Sequence, residues 1–459
     1  MIAALASACG ASAPAVRASP AVDFRVSVDA DLRLLTVERC FGQVPPALMP
    51  GVAAGRDLVR DVVRVRPGTP DQALTLEGGV LPLEGRVEPG DCVRLRFDAP
   101  ALARASRAGT FSDALVLWPA LWLWRSVQPA DGWSATLRFD LPPGVVASAP
   151  WPADAAGLRT LGVGALRTPS RVVIGRFPLL IQQVAGSRIE VAAVGEAPPT
   201  ATLVPWVEGA ARGVAAVFGG FPRPHAQVVL LGQPGRGVVF GEAQRGGGPS
   251  VTLWLGGDST PADLRDDWTL SHELFHLGMP PIRREDAWLS EGVTQYYTHV
   301  CQARAGVVTP QHAWDDLHDG FERGRASDGG LSVQAESAAL RQRHAYWWVY
   351  WGGAAWALLL DLELRRQGDS LDRVLRGWQR LPCCEGESHA ADSLLAEADA
   401  LIGRPLARPL FDRLLTAPGF PSLEATRAAL GLRTRSRQVV GFDDAAPEAG
   451  LRRAITAPP

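Results

Sequence analysis

Two histidines four residues apart, in Ser271-His272-Glu273-Leu274-Phe275-His276-Leu277, form the strongest chemical signal in the chain. On a helix, residues at this spacing lie on one face, so both imidazoles can bind one metal ion. Glu273, one step round, reaches a water on that metal as general base. A catalytic zinc site takes three protein ligands and leaves a position for water, and two histidines with a carboxylate are one known set. The third ligand comes from Asp286-Ala287-Trp288-Leu289-Ser290-Glu291-Gly292, where Glu291 sits at the opening of a second helix. One zinc ion per chain, held by His272, His276 and Glu291, is the cofactor this pattern implies.

Such a site needs two helices folded back on each other. Gly278 and Pro280-Pro281 stop the first soon after His276, and the short loop beyond them brings Glu291 beside the histidines. Upstream, residues 20–195 alternate apolar and polar with frequent Pro and Gly, as in Asp23–Val28 and Cys92–Phe97, which predicts a β-sandwich-like domain. Trp118, Trp122, Trp124, Trp133 and Trp151 crowd one part of it and read as core or domain contact. Helical periodicity over Val204–Phe218, apolar strands at Val228–Leu231 and Ser250–Leu255, and a helix from Pro261 through His276 give residues 196–325 an α/β texture. Residues 326–433 are helical, and 434–459 read as a disordered tail. The expected class is α+β multidomain: β domain, α/β catalytic domain, helical part.

Composition narrows the partners. The 459 residues carry a formal net charge of -2 with no lysine, which gives nucleic acid no basic surface to bind. The longest apolar run, Tyr346–Leu360, falls short of the roughly 20 residues a membrane helix needs and reads as a core helix. Residues 1–19 are ambiguous. Ala6-Ser7-Ala8-Cys9 resembles the end of a bacterial lipoprotein signal, with Cys9 as candidate lipid anchor, yet no basic residue precedes it. Export, periplasmic or membrane-anchored, is the favoured expectation, and a cytoplasmic chain the alternative. Cys40 and Cys92 could pair, whereas Cys383-Cys384 could bridge to Cys301 or stay as thiols.

HELFH at 272–276, WLSEG at 288–292 and the Tyr296-Tyr297 pair together resemble the gluzincin zinc metallopeptidases. Val349-Tyr350-Trp351-Gly352-Gly353-Ala354 is similar to the downstream helix of the bacterial glycyl-aminopeptidase family, and the aminopeptidase N family is a more distant likeness. The resemblance implies a thermolysin-like catalytic domain acting on peptides, with Tyr350 donating to the oxyanion formed at the scissile carbonyl and Tyr346 and His344, earlier on the same helix, as its nearest rivals. It also implies a Gly-rich strand with an acid that grips the substrate's free amine. The matching place is Gly241–Ser250, with Glu242 as its acid and Gly246, Gly247 and Gly248 where substrate backbone could approach. The chain is shorter than that family between His276 and Glu291 and has no evident PDZ segment. Gln295, Thr294 and His299 are candidates to orient the ligands. Two alternatives to an active peptidase remain open at this point: a degenerate binding or assembly module, and a zinc hydrolase of another acyl bond.

Overall fold

The computed structural model describes residues 22–129, 132–327, 329–381 and 387–458. Cys9 with the rest of residues 1–19, and Cys383-Cys384, lie outside the described residues.

Alternation in the N-terminal part does what period-two patterning requires. Phe24–Val28, Leu34–Cys40 and Cys92–Asp98 pair in a seven-stranded sheet and bury every second side chain. Phe24, Val26, Val37, Leu95 and Phe97 meet Leu115, Leu117, Val172 and Ile174 from a three-stranded sheet, so two sheets share one core. Trp122, Trp124 and Trp151 are buried in that core, as expected of them. Cys40 and Cys92, directly opposite in register, form a disulfide. The small sheet is apolar on both faces because Val116 and Val173, on its other side, pack on Ala192, Val194, Val229 and Leu231 of the next sheet.

That next sheet is the platform for the site. Its strands are β1 (Leu179–Val184), β2 (Ser187–Gly195), β3 (His225–Gln233), β4 (Val238–Gln244) and β5 (Ser250–Gly256), in the order β1-β2-β3-β5-β4. β2, β3 and β5 run parallel, and β4 closes the sheet as an antiparallel edge. The crossover between β2 and β3 is helix α1 (Thr200–Phe218), which ends where Gly219 turns left-handed at φ +78°. β1 and β2 pair here, so the boundary expected at 195 falls before Leu179.

Helices then take over: α2 (Thr269–His276), α3 (Ala287–Arg304), α4 (Pro310–Ala326), α5 (Tyr346–Arg365) and α6 (Leu371–Trp378). They bury one core with the apolar face of the sheet and with the later helices Ala391–Ile402 and Ala407–Leu414, so residues 196–325 and 326–433 are not separate in their packing. Tyr346–Leu360 lies within α5, mostly buried, and no helix among the described residues is long and apolar enough to cross a membrane. The expectation of a disordered tail at 434–459 is corrected. Leu432–Arg435 and Gln438–Phe442 form a hairpin, and Ala449–Thr456 is a helix that buries Ile455 in the main core. Charge misled there: Arg452 is buried, donating to the carbonyls of Leu430 and Asp443.

Buried ionic contacts anchor α3. The Tyr297 hydroxyl donates to Asp372 (2.6 Å), and Arg304 donates to the same carboxylate (2.8 Å) with its side chain 3% exposed. Removing the shared acid strands a buried guanidinium. Asp372→Ala should therefore cost about 3–5 kcal/mol, read as a lowered thermal-unfolding midpoint.

Candidate active site

The helix expected from Pro261 through His276 is two helices, Pro261–Asp266 and α2. Asp267 breaks it: its carboxylate accepts from the backbone amides of Thr269 (3.0 Å) and Leu270 (3.4 Å) and from the Thr269 hydroxyl (3.0 Å). The acid thus caps the helix that carries the histidines. Burial pushes this carboxyl up to about 6 against those hydrogen bonds. Its folded-state value lies above the ordinary 3.8, so the ionised form is the costlier one in the folded chain. Stability is lost as pH rises from about 4 to 6, by roughly 3 kcal/mol at most. Asp267→Asn, which keeps an acceptor, should gain on wild type between pH 4 and pH 7 in parallel thermal melts.

His272 and His276 are buried on the face of α2 that meets α3. Their Nε2 atoms lie 3.2 Å apart, and each is 3.3 Å from Oε2 of Glu291. Ligands about 2.0–2.1 Å from a tetrahedral zinc ion stand about 3.3 Å from one another, so these three atoms fit that ion. One other cluster of ligand-type residues occurs among the described residues, Glu38 with Cys40 and Cys92, and its sulfurs are spent in the disulfide. The Glu291 carboxyl is opposed by burial but held well below its usual range by His276 and His272.

The ring nitrogens turned away from this point are also fixed. His272 Nδ1 lies 3.3 Å from the Thr298 hydroxyl, and His276 Nδ1 lies 3.3 Å from that of Thr294. Each threonine donates to a carbonyl of its own helix, Thr294 to Ser290 and Thr298 to Thr294. Their oxygens are left to accept from Nδ1–H, which presents the Nε2 lone pairs to the metal point. Thr294 was anticipated and Thr298 was not; the signal was present in its spacing, one turn beyond Thr294 and two beyond Ser290. Gln295 faces His299 (3.4 Å) rather than Glu291, and His299 in turn lies 3.3 Å from Asp316.

Glu273 sits under the edge strand. A side chain at Gly241 of β4 would meet its Cγ at 2.8 Å, so that glycine makes room for the carboxylate. Burial drives the Glu273 carboxyl up to about 7; His272 opposes this, while Glu291 and Glu242 add to it. Tyr350 reaches the site because α3 and α5 cross at Gly292 and Gly353, where a Cβ on Gly353 would lie 1.9 Å from the Trp288 carbonyl oxygen. Its hydroxyl is pushed well up by burial and then by Glu291 and Glu273, which keeps it a proton donor.

The Gly-rich stretch departs from expectation. Gly247 accepts from Trp151 Nε1 (2.7 Å), and side chains at Gly247 or Gly248 would strike Thr168 or Pro150. Gly246 likewise faces Thr168. These glycines admit the N-terminal domain at the place where substrate backbone was expected to approach Gly246, Gly247 and Gly248. Glu242 forms an ion pair with buried Arg171 (3.3 Å). Beside the site opens a cavity of ≈ 660 Å³ lined by Phe240, Trp268, Tyr346, Trp347 and Tyr350. Phe240 (56%), Trp268 (43%), Tyr346 (41%) and Trp347 (49%) are half of the large apolar side chains exposed in the described chain, and all four face this one cavity. Sequence reasoning weighed only Tyr346 among them, as a rival to Tyr350, because their segments meet only in the fold.

Residues 280–356 match the family model of the M61 glycyl aminopeptidases. No curated protein matches the chain in sequence. In fold the chain is similar to an aminopeptidase N family protein from Idiomarina loihiensis, at 16% identity and TM-score 0.66, over 89% of this chain and 78% of that one. It is similar also to a mutant M1 zinc metallopeptidase from Deinococcus radiodurans bound to a Tyr-Ser-Ala substrate, at 16% identity and TM-score 0.51, over 87% and 95%. In its matched segment the chain resembles the glycyl aminopeptidases, and across its length it has the multidomain fold of the aminopeptidase N and M1 zinc metallopeptidases, the gluzincin-type relationship that its motifs suggest.

Proposed function

We propose that the chain hydrolyses peptide bonds with one zinc ion per chain, in aminopeptidase-like fashion. The observation that carries this reading is the convergence of His272, His276 and Glu291 at 3.2–3.3 Å beside a carboxyl near neutrality. Zinc in that site would supply Lewis-acid activation of water and of the scissile carbonyl. Glu273, whose carboxyl is raised by burial, accepts the proton of the attacking water and returns it to the leaving amine. Tyr350, protonated throughout, donates to the oxygen on which negative charge gathers. Thr294 and Thr298 hold the imidazoles in one tautomer through the cycle. The aromatic cavity takes a substrate side chain, and β4, as an edge strand, offers main-chain groups to an extended peptide. Glu242 is the acid available to a free amine, and it would share that role with its bond to Arg171.

Export belongs to the same reading. The Cys40–Cys92 bond supports it, since such bonds persist in oxidising compartments.

The test is cleavage of a mixed peptide library by zinc-loaded protein, with product termini identified by mass spectrometry; a zinc-loaded protein that leaves the library intact would end the proposal. Tyr350→Phe bears on the mechanism. It should lower kcat by about 10²–10³-fold with KM changed far less, because the hydroxyl acts where charge develops in the transition state.

A further inference from the structure

A second cavity, of ≈ 530 Å³, shares Tyr346 and Tyr350 with the aromatic one and has Glu291 in its wall. Three separate segments bring guanidinium groups to it. Arg245 follows β4, Arg283 and Arg284 lie between α2 and α3, and Arg341 is on the short helix Leu340–Arg343. Arg245 is fixed by the carbonyls of His276 (3.4 Å) and Pro280 (3.1 Å). The short helix is tied down by a different arginine, Arg343, bonded to buried Glu336 at 2.7 Å. By contrast, Arg284 and Arg341 make no ion pair and no side-chain hydrogen bond among the described residues, whereas Arg283 is felt by the carboxylate of Asp286. The carboxylates lining this cavity are Glu285 and Glu291, and a cation held by the latter would offset its charge.

Like charges gathered around a concavity raise its positive potential, and the planar guanidinium fork matches a carboxylate in two hydrogen bonds. We infer that this cavity is the subsite for a carboxylate of the substrate, supplied by an Asp or Glu side chain near the scissile bond or by the chain terminus. The inference takes its substrate from the peptidase reading and its recognition chemistry from the arginines. Aromatic on one side and cationic on the other, the two cavities favour peptides that place a bulky residue and an acid on opposite flanks of the reacting bond.

Twin peptides that differ only as Glu against Gln, each with a free or an amidated C-terminus, are titrated by calorimetry into zinc-loaded Glu273→Gln protein, where turnover is silenced. The acidic twin should bind about tenfold tighter or more. The double variant Arg284→Glu/Arg341→Glu, made in the same background, should abolish that preference or turn it toward a Lys twin. Arg212→Ala, on the exposed face of α1, should leave it intact. A preference that follows the free C-terminus alone assigns the terminal carboxylate; one that follows Glu over Gln assigns the side chain. Equal binding of all twins, or a preference that survives the double reversal, overturns the subsite. Wild-type kcat/KM for the same peptides separates the two claims. Cleavage of every twin alike removes the subsite and keeps the peptidase, whereas selective binding without any cleavage does the opposite.

Discussion

Glu273→Gln should retain the wild-type zinc content and lose about 10²–10⁴-fold in peptide cleavage. The amide matches the carboxylate in volume, so it fits the space that Gly241 leaves beside it. The converging atoms belong to His272, His276 and Glu291, and none of their mutual distances involves Glu273. What disappears is a group able to take and return a proton near neutral pH. Zinc by plasma mass spectrometry and initial rates on one peptide check both halves. Activity within a few-fold of wild type would move the base elsewhere.

Glu291→Ala attacks the other half of the site and should weaken zinc binding by more than ~100-fold, since merely disturbing residues behind a ligand costs 10–100-fold. Two imidazoles remain, held by Thr294 and Thr298, but the carboxylate that offsets the ion's charge is gone. A ligand that binds only the folded chain stabilises it by RT ln(1 + [L]/Kd), so its unfolding temperature rises with the ratio of ligand concentration to Kd. Added zinc should therefore raise the melting midpoint of wild type and leave that of Glu291→Ala in place. An equal rise in both proteins would show that Glu291 is not a ligand.

The convergence of His272, His276 and Glu291 was legible because it is written in local spacing. An i, i+4 histidine pair must share a helix face, and a helix stopped by Gly278 and Pro280-Pro281 leaves the next helix little choice but to return antiparallel. The sheet-rich N-terminal domain was legible for a similar reason, since alternation with a period of two declares which face is buried. What failed were properties set by contacts distant in sequence. Gly246–Gly248 looked like room for a substrate and prove to be room for Trp151, Thr168 and Pro150. The residues after Arg433 looked too charged to fold, yet Arg452 pairs with Asp444 and donates to the carbonyls of Leu430 and Asp443, and Ile455 completes the core. The aromatic cavity and the arginine-lined cavity each join segments from separate stretches of the chain, and no window of sequence contains either. Asp267 lies between. Its capping geometry was within reach of a local reading, but the apolar periodicity on both sides masked the break it makes.

Metal reconstitution tests whether zinc at His272, His276 and Glu291 drives peptide hydrolysis. Wild-type protein is stripped with a chelator, zinc is returned in measured fractions, and the cleavage rate of one peptide is plotted against bound metal. Cleavage should be absent without zinc and rise linearly until one ion is bound per chain. Cleavage that survives stripping, or a fully loaded chain that cleaves nothing, would contradict that role of zinc.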